Sequence, residues 1–373
     1  MDCDFLIIGA GIAGASAGYA LAPRGRVVIL ERESQPGYHS TGRSAALFTG
    51  TYGNLVMRTL AKASRPFLDH PPEGFTDHPL MTPRATMLIG RADQTAALDA
   101  ALEEGRAIVP EVHRLSADDA RALCPALDPD YIAGAILDPT SMDMDVHAIH
   151  QGFLRGTRSA GGRIVTDAEV TGLQRDGEGW TVETRAGTWR APVVINAAGA
   201  WADTLAGMAG VPPIGLVPKR RTAMTFDPPA DLAIDDWAAI IDVDEEFYFK
   251  PDAGKLLGSP ADETPVPPQD IQPEELDIAI AVDRIERSAR IKVGRIDHSW
   301  AGLRSFVDDK SIVIGEAAGA PGFIWLAAQG GYGIMTSPAA GRIAASIALG
   351  EPFPKDVEDL GVTAADVGPG RLT

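Results

Sequence analysis

A chain of 373 residues is long for one domain, and its 45% hydrophobic and 23% charged content is that of a folded globular protein, so two domains are predicted and global disorder is excluded. Its 51 acidic residues against 33 basic give a formal net charge of −18, a field that opposes a polyanion and excludes general nucleic-acid binding. The two cysteines, Cys3 and Cys124, stand in no metal-ligand or disulfide-framework spacing, so neither a metal nor a structural disulfide is expected.

Asp2 and Asp4 interrupt the first apolar run, and no stretch of about 20 apolar residues follows elsewhere. No leader and no membrane span are therefore predicted, and a cytoplasmic protein is the expectation. The run Phe5–Ile8 reads as a buried parallel strand. Gly9-Ala10-Gly11-Ile12-Ala13-Gly14 follows at once, then small and apolar residues to about Leu21, as a helix packed on a sheet requires. Val27–Leu30 is a second buried strand ending at Glu31, which completes one βαβ unit.

Residues 37–53 are rich in Gly, Ser and Thr and read as a functional loop. A helix is predicted over 54–67 and a strand over 86–89. Ser116 with Asp119 resembles a capping box and predicts a short helix. A helix over 146–160 should end at Gly161-Gly162, followed by short strands at 163–165, 168–173 and 179–184. Residues 193–195 form another buried strand, which runs into Asn196–Trp201. Strand-like runs occupy 215–258. A polar, Pro-rich surface connection spans 260–273, and a helix spans 274–288. Residues 312–314 are the last expected buried strand, and a helix over 332–349 closes the core.

Buried strands at the beginning, middle and end predict an α/β (α+β) two-domain fold. A Rossmann-like, discontinuous nucleotide-binding domain (1–50, 141–205, 297–350) should carry a substrate domain built on a mixed β-sheet (51–140, 206–296), with 351–373 as a C-terminal tail.

Gly9, Gly11 and Gly14 fit the dinucleotide fingerprint: a tight turn, close backbone approach to a pyrophosphate, and close helix–strand packing. The helix start offers unpaired N–H groups to the phosphates, beside Ala13. Glu31 stands where an acid accepts ribose hydroxyls, and Arg32 can flank the adenosine; an acid here disfavours NADP. A second close backbone approach is expected at Ala198 and Gly199, a third at Gly330, Tyr332, Gly333 and Ile334, and a further contact at Val170. A ligand long enough to reach all of these is FAD rather than a nicotinamide dinucleotide.

The segments 7–16, 37–46, 218–221, 247–251, 300–306 and 327–334 together resemble the D-amino-acid oxidase family of FAD-dependent oxidoreductases, and within it the bacterial D-arginine dehydrogenase-type enzymes. The resemblance implies FAD bound in extended form, hydride transfer from the substrate Cα to flavin N5, and hydrolysis of the imino acid to a 2-oxo acid and ammonia; no typical covalent attachment is evident, so FAD is expected to bind non-covalently. It implies that Ser40, Thr41, Gly42, Arg43, Ser44, Ala45 and Ala46 contact the cofactor. It also implies that Arg221 and Arg304 receive the substrate carboxylate, that Tyr248 and Tyr52 add hydroxyl donors, and that the carbonyls of Gly302 or Gly331 accept from the amine. A guanidinium suits that role because it can bind both carboxylate oxygens.

The chain departs from the arginine-type pattern at two positions. Leu47 replaces a His beside the flavin, and Thr86 replaces the Glu that receives a distal cation. A buried unpaired cation is costly, so the substrate is expected to be a neutral, apolar or small D-amino acid rather than D-Arg or D-Lys. Tyr52, in a Gly-bearing stretch, is expected on a mobile lid. The electron acceptor is open. Two alternatives remain at this level: a glycine or N-methyl amino-acid oxidase using oxygen, and a non-catalytic flavoprotein subunit.

Overall fold

The computed structural model describes residues 2–177 and 179–372. Its first sheet has six strands in the order Val313–Glu316, Phe323–Ala327, Val193–Asn196, Phe5–Ile8, Val27–Leu30 and Arg163–Val165. All neighbours are parallel except the first pair. The central strands are apolar throughout because both faces are covered. Phe5, Ile7 and Ile29 pack with Leu21, Phe153 and Ile343 from the helices Ile12–Leu21, Val146–Ser159 and Gly333–Leu349. Leu6, Ile8 and Val28 point the other way, toward Leu173, Trp180 and Leu205. A three-stranded antiparallel sheet, residues 170–191, supplies most of that second covering.

The Phe323–Ala327 strand lies outside the sequence expectation, which ended the buried strands at 312–314. It is buried at all five positions and sits between two expected strands. The continuous Phe-Ile-Trp-Leu-Ala run is the signal for it.

The second large sheet has eight strands: Ile296–Phe306, Val217–Phe226, Lys255–Ser259, Tyr248–Asp252, Ala239–Asp242, Thr86–Gly90, Gly134–Asp138 and His113–Ser116. It is mixed, with Thr86–Gly90 parallel to Ala239–Asp242 and the other pairs antiparallel. A small sheet of Leu47–Phe48, Met142–Met144 and Met81–Pro83 lies where the chain passes between the lobes.

Three expected boundaries move. The strand Ile296–Phe306 belongs to the eight-stranded sheet, with Val217 opposite Phe306, so the division at 297 does not follow the sheets. The helix Leu55–Asp69, expected in the substrate domain, inserts Met57, Leu60 and Ala61 into the core of the first lobe. The expected tail 351–373 packs there as well, through Val357, Val362 and Val367. The 260–273 connection is not merely a surface link, because it buries Ile271 and supplies the carboxylates of Asp262 and Glu263 to neighbouring arginines. Among the described residues no helix is long and apolar enough to cross a membrane.

Candidate active site

A continuous cavity of about 750 Å³ is lined by residues of both large sheets, with Glu31 and Arg32 among them and also Arg221, Tyr248 and Arg304. At the dinucleotide end, Gly9 has φ +103, and a Cβ there would stand 2.4 Å from the Ala197 carbonyl oxygen. A Cβ at Gly14 would stand 1.9 Å from the Gly9 carbonyl oxygen, which is why the helix can approach the strand so closely. The Glu31 carboxylate accepts the backbone N–H of Ala10 at 2.9 Å and of Glu33 at 3.0 Å. Burial pushes the Glu31 carboxyl above its ordinary range, and those two N–H groups oppose the shift. Thr41 Oγ1 accepts the Ile12 N–H at 3.0 Å and fastens the 37–46 loop to the helix start.

His150 completes this turn from beneath. It is buried, and its Nε2–H donates to the Ala10 carbonyl at 2.8 Å. Sequence reasoning passed over it, since a His on a helix face carries no local sign of a partner 140 residues away. The Arg32 guanidinium lies 4.9 Å from the centroid of the Trp201 ring and pairs with Glu33 and Glu169. His39 joins the same cluster through Glu33 Oε1 at 2.9 Å, so it is a structural His here.

The expected cofactor residues Gly9, Gly11, Ala13, Glu31 and Arg32 line the cavity. Ser40, Thr41, Arg43, Ser44, Ala45 and Ala46 line it too, as do Val170, Ala198, Gly199, Gly330, Gly333 and Ile334. Three others stand behind the wall. Gly14 closes the helix–strand contact, Gly42 donates its N–H to the Gly37 carbonyl at 2.7 Å, and the Tyr332 ring packs on Tyr52 with centroids 4.9 Å apart. The Arg43 guanidinium donates to the carbonyls of Ile271 and Ala301 at 2.8 and 3.0 Å. A buried carboxylate at the end of the second strand, a glycine turn lining the cavity, and a cavity extending into the second lobe together fit FAD.

At the other end, strand alternation aims side chains inward. Thr86 and Leu88 from one strand, Ile241 from its neighbour, Tyr248, Arg221 and Ala223, and Gly302 and Arg304 all line the cavity. Met87, Ile89, Ile240 and Phe249 point oppositely into a separate core. Arg304 donates Nη1–H to the Tyr52 hydroxyl at 3.0 Å. Gly331 lies directly beside that guanidinium: a Cβ on it would be 2.7 Å from Nη1. The Tyr248 side chain makes no hydrogen bond among the described residues, and its electrostatic neighbour is Arg304.

Arg221 also reaches the cavity and has polar partners of its own. Its Nε–H donates to the Asp262 carbonyl at 2.9 Å, and its Nη2 stands 3.3 Å from Glu263. Expected with Arg304 as a receptor of the substrate carboxylate, it shares Glu263 with Lys219, whose Nζ stands 2.8 Å from the Glu263 carboxylate. Leu47 lines the cavity from the small sheet. Thr86 is 5% exposed, and its Oγ1 has no hydrogen-bond partner. Tyr52 borders both this cavity and a second one of about 320 Å³. Sequence reasoning missed Arg58, which lines both cavities from the first turn of the helix Leu55–Asp69.

Residues 4–347 match the family model described as DAO, FAD dependent oxidoreductase. L-2-Hydroxyglutarate dehydrogenase of Escherichia coli (strain K12) is 31% identical over 222 residues, covering 56% of this chain and half of that protein's length. Glycine oxidase of Geobacillus kaustophilus is 25% identical over 394 residues, covering 99% of this chain and 96% of the relative. Neither is a D-arginine dehydrogenase-type enzyme. The solved structure of L-alpha-glycerophosphate oxidase from Mycoplasma pneumoniae, with FAD bound, superposes with a TM-score of 0.83 at 18% identity over 94% of this chain and 95% of the other. A fingerprint that folds as expected, a cavity that fits FAD, and a family match over nearly the whole chain place this protein in the DAO family of FAD-dependent oxidoreductases.

Proposed function

We propose that the protein oxidises the carbon–nitrogen bond of a small D-amino acid, whose imino product is hydrolysed in water to a 2-oxo acid and ammonia. The observation that carries this reading is Arg304, a guanidinium inside the cavity whose neighbours are phenols and which has no carboxylate partner among the described residues. A substrate carboxylate supplies the missing anion and can take two parallel hydrogen bonds from the planar fork. Tyr52 and Tyr248 stand beside it as further donors.

FAD, bound without a covalent link, supplies the acceptor for the hydride that leaves Cα. The chain's own task is orientation. Arg304 fixes one end of the substrate, and in this reading the carbonyl of Gly302 or Gly331 accepts from an amine that arrives uncharged. No side-chain base is assigned, so positioning accounts for most of the acceleration.

Thr86 and Leu47 bring no negative charge to the side-chain chamber, and Leu88, Ile241 and Val243 give it an apolar lining. A cationic side chain is disfavoured there. The glycine oxidase relative spans almost the entire chain, so glycine and N-methylglycine belong beside D-amino acids as a second reading.

The test is an anaerobic mix of purified holoenzyme with D- and L-amino acids, glycine, N-methylglycine and 2-hydroxy acids, following loss of oxidised-flavin absorbance. Reduction by D-amino acids supports the proposal. Reduction by 2-hydroxy acids or L-amino acids alone, or by nothing, overturns it, and D-Arg as the clear best substrate overturns the side-chain assignment. Hydrogen peroxide release under air identifies an oxidase. Release of FAD on acid precipitation is the expected sign of non-covalent binding.

A further inference from the structure

The strand that carries Arg304, Ile296–Phe306, is the edge of the eight-stranded sheet. An edge strand leaves carbonyls without a ladder partner. Two of them are taken by the 37–46 loop: Ser40 Oγ–H donates to the Leu303 carbonyl at 2.7 Å, and Arg43 Nη1–H donates to the Ala301 carbonyl at 3.0 Å. The strand donates in return from Trp300, whose Nε1–H meets the Arg43 carbonyl at 3.0 Å. Trp300, Gly302 and Arg304 share one face by strand alternation. A Cβ on Gly302 would lie 3.4 Å from the Arg43 Cβ, so the loop rests on the face that presents Arg304 two residues on.

Arg43 also ties in a third segment. Its Nη1–H donates to the Ile271 carbonyl at 2.8 Å, and its Nη2 pairs with Asp270. Asp270 accepts the Tyr38 hydroxyl at 3.2 Å, and the Arg43 side chain is only 14% exposed. Ile271, Ala301 and Leu303 are buried together against Ala200, which follows the Ala198-Gly199 approach to the cofactor. Thr41 bonds the same loop to Ile12 at the helix start. Hydrogen bonds from residues 40–43 therefore reach both the dinucleotide turn and Leu303, the residue before Arg304.

We propose that Arg43 is a positioning residue: it holds the strand presenting Arg304 at a fixed spacing from the cofactor, and so sets where the substrate Cα lies against the flavin. This rests on the amino-acid reading above and deepens it. The substrate carboxylate is anchored on Arg304, so a shift of the strand is passed on to Cα. A misplacement of about 1 Å can cost roughly a hundredfold in rate. Arg43 suits the task because a planar guanidinium meets two carbonyls and a carboxylate at once in a fixed geometry, which a lysine ammonium does not reproduce.

The test uses FAD-loaded wild type, Arg43→Met, Arg43→Lys, Ser40→Ala and Trp300→Phe. Two quantities are read: the anaerobic rate of flavin reduction per bound flavin at saturating D-amino acid, and the affinity for acetate, a carboxylate without an amine, from perturbation of the flavin spectrum. Arg43→Met is expected to bind FAD, to show a reduction rate roughly ten- to a hundredfold lower, and to bind acetate about threefold or more weakly. Arg43→Lys should recover part of both losses. Ser40→Ala and Trp300→Phe, which each remove one bond, should move both quantities the same way by less. A side chain that only stabilised the fold would lower the melting temperature and leave both quantities at wild-type values, and that result overturns the proposal. Loss of FAD binding confined to Arg43→Met also overturns it, because Arg43 would then act on the cofactor itself. Should Arg43→Met not fold, Ser40→Ala and Trp300→Phe decide: wild-type values in both overturn the proposal, and lowered values in both support it. Weakened acetate binding in Arg43→Met, in a protein whose flavin no amino acid reduces, leaves the positioning role intact and overturns the oxidation reading instead.

Discussion

Arg304 donates to the Tyr52 hydroxyl at 3.0 Å, and its other charged-state neighbours are phenols rather than carboxylates. In the proposed function an arginine held this way receives the substrate's anionic group. Arg220, only one strand away, shows the opposite arrangement, with Asp262, Glu274 and Asp277 around it. Arg304→Met should therefore lower kcat/KM by roughly a hundredfold, about 3 kcal/mol, with flavin content unchanged. Arg304→Lys should recover part of that loss, because charge remains while the planar fork does not. Tyr52→Phe removes one neutral partner and should lower kcat/KM by about tenfold or less. Steady-state kinetics on the best substrate, with flavin-to-protein absorbance ratios, checks the order of the three.

Gly331 is the packing partner of that guanidinium. A Cβ there would be 2.7 Å from Nη1 and 2.9 Å from Cζ, distances at which one group must move. Gly331→Ala should displace Arg304 and raise KM more than it lowers kcat, with a kcat/KM loss of about ten- to a hundredfold. Thermal unfolding should change little, because Gly331 is exposed to the cavity rather than packed in a core. A Gly331→Ala enzyme with wild-type KM would show that Arg304 does not fix the substrate.

What the sequence discloses and what it hides divide along a physical line. The βαβ unit is legible because Phe5–Ile8, the glycine turn and Glu31 are consecutive, and each constraint is local. Arg304 and Tyr248 are legible through resemblance. The contact of Arg221 with Glu263 is not, because Glu263 arrives from an irregular connection whose path is decided by tertiary packing. Arg58 follows the buried Met57 at the start of an amphipathic helix, where periodicity assigns it to the solvent side. Only the placement of Glu104 and Thr51 against that turn reveals it as part of the cavity wall.

His150 gives the cofactor end a pH dependence of definite sign. Burial holds its pKa below the ordinary His value, chiefly by desolvating the charged form, and the bond to the Ala10 carbonyl opposes the shift. The unfolded chain therefore binds the proton more readily than the folded one. The stability contributed by neutral His150 is complete above the unfolded His pKa and is lost as pH falls through the depressed folded value. Because His150 supports the turn that faces the dinucleotide, FAD release should accompany the change. The melting temperature is expected to fall on acidification below about pH 6.5, with free flavin fluorescence rising in step. His150→Gln keeps an N–H for Ala10 and should flatten that part of the curve. An identical acid limb in both proteins would assign it to other groups.

A final prediction concerns the ion pair that joins the two structural units carrying Tyr248 and Leu47. Lys250 lies two residues beyond Tyr248, and its Nζ is 2.6 Å from Asp143. Asp143 stands opposite Leu47 in the small sheet and also accepts from Arg84 Nε at 2.7 Å. One carboxylate thus compensates two cations, and the side chain of Lys250 is only 6% exposed. Removal of either partner is then unequal in effect. Lys250→Met leaves Asp143 paired with Arg84 and should destabilise by about 1 kcal/mol, whereas Asp143→Asn leaves a buried ammonium with only the longer contact to Asp252 and should destabilise by about 3 kcal/mol. The double variant should be more stable than Asp143→Asn alone, since it no longer buries the uncompensated charge. Denaturant midpoints for the four proteins test this ranking. A double variant that loses the sum of both single effects would mean that the two side chains act independently and do not hold the lobes in register.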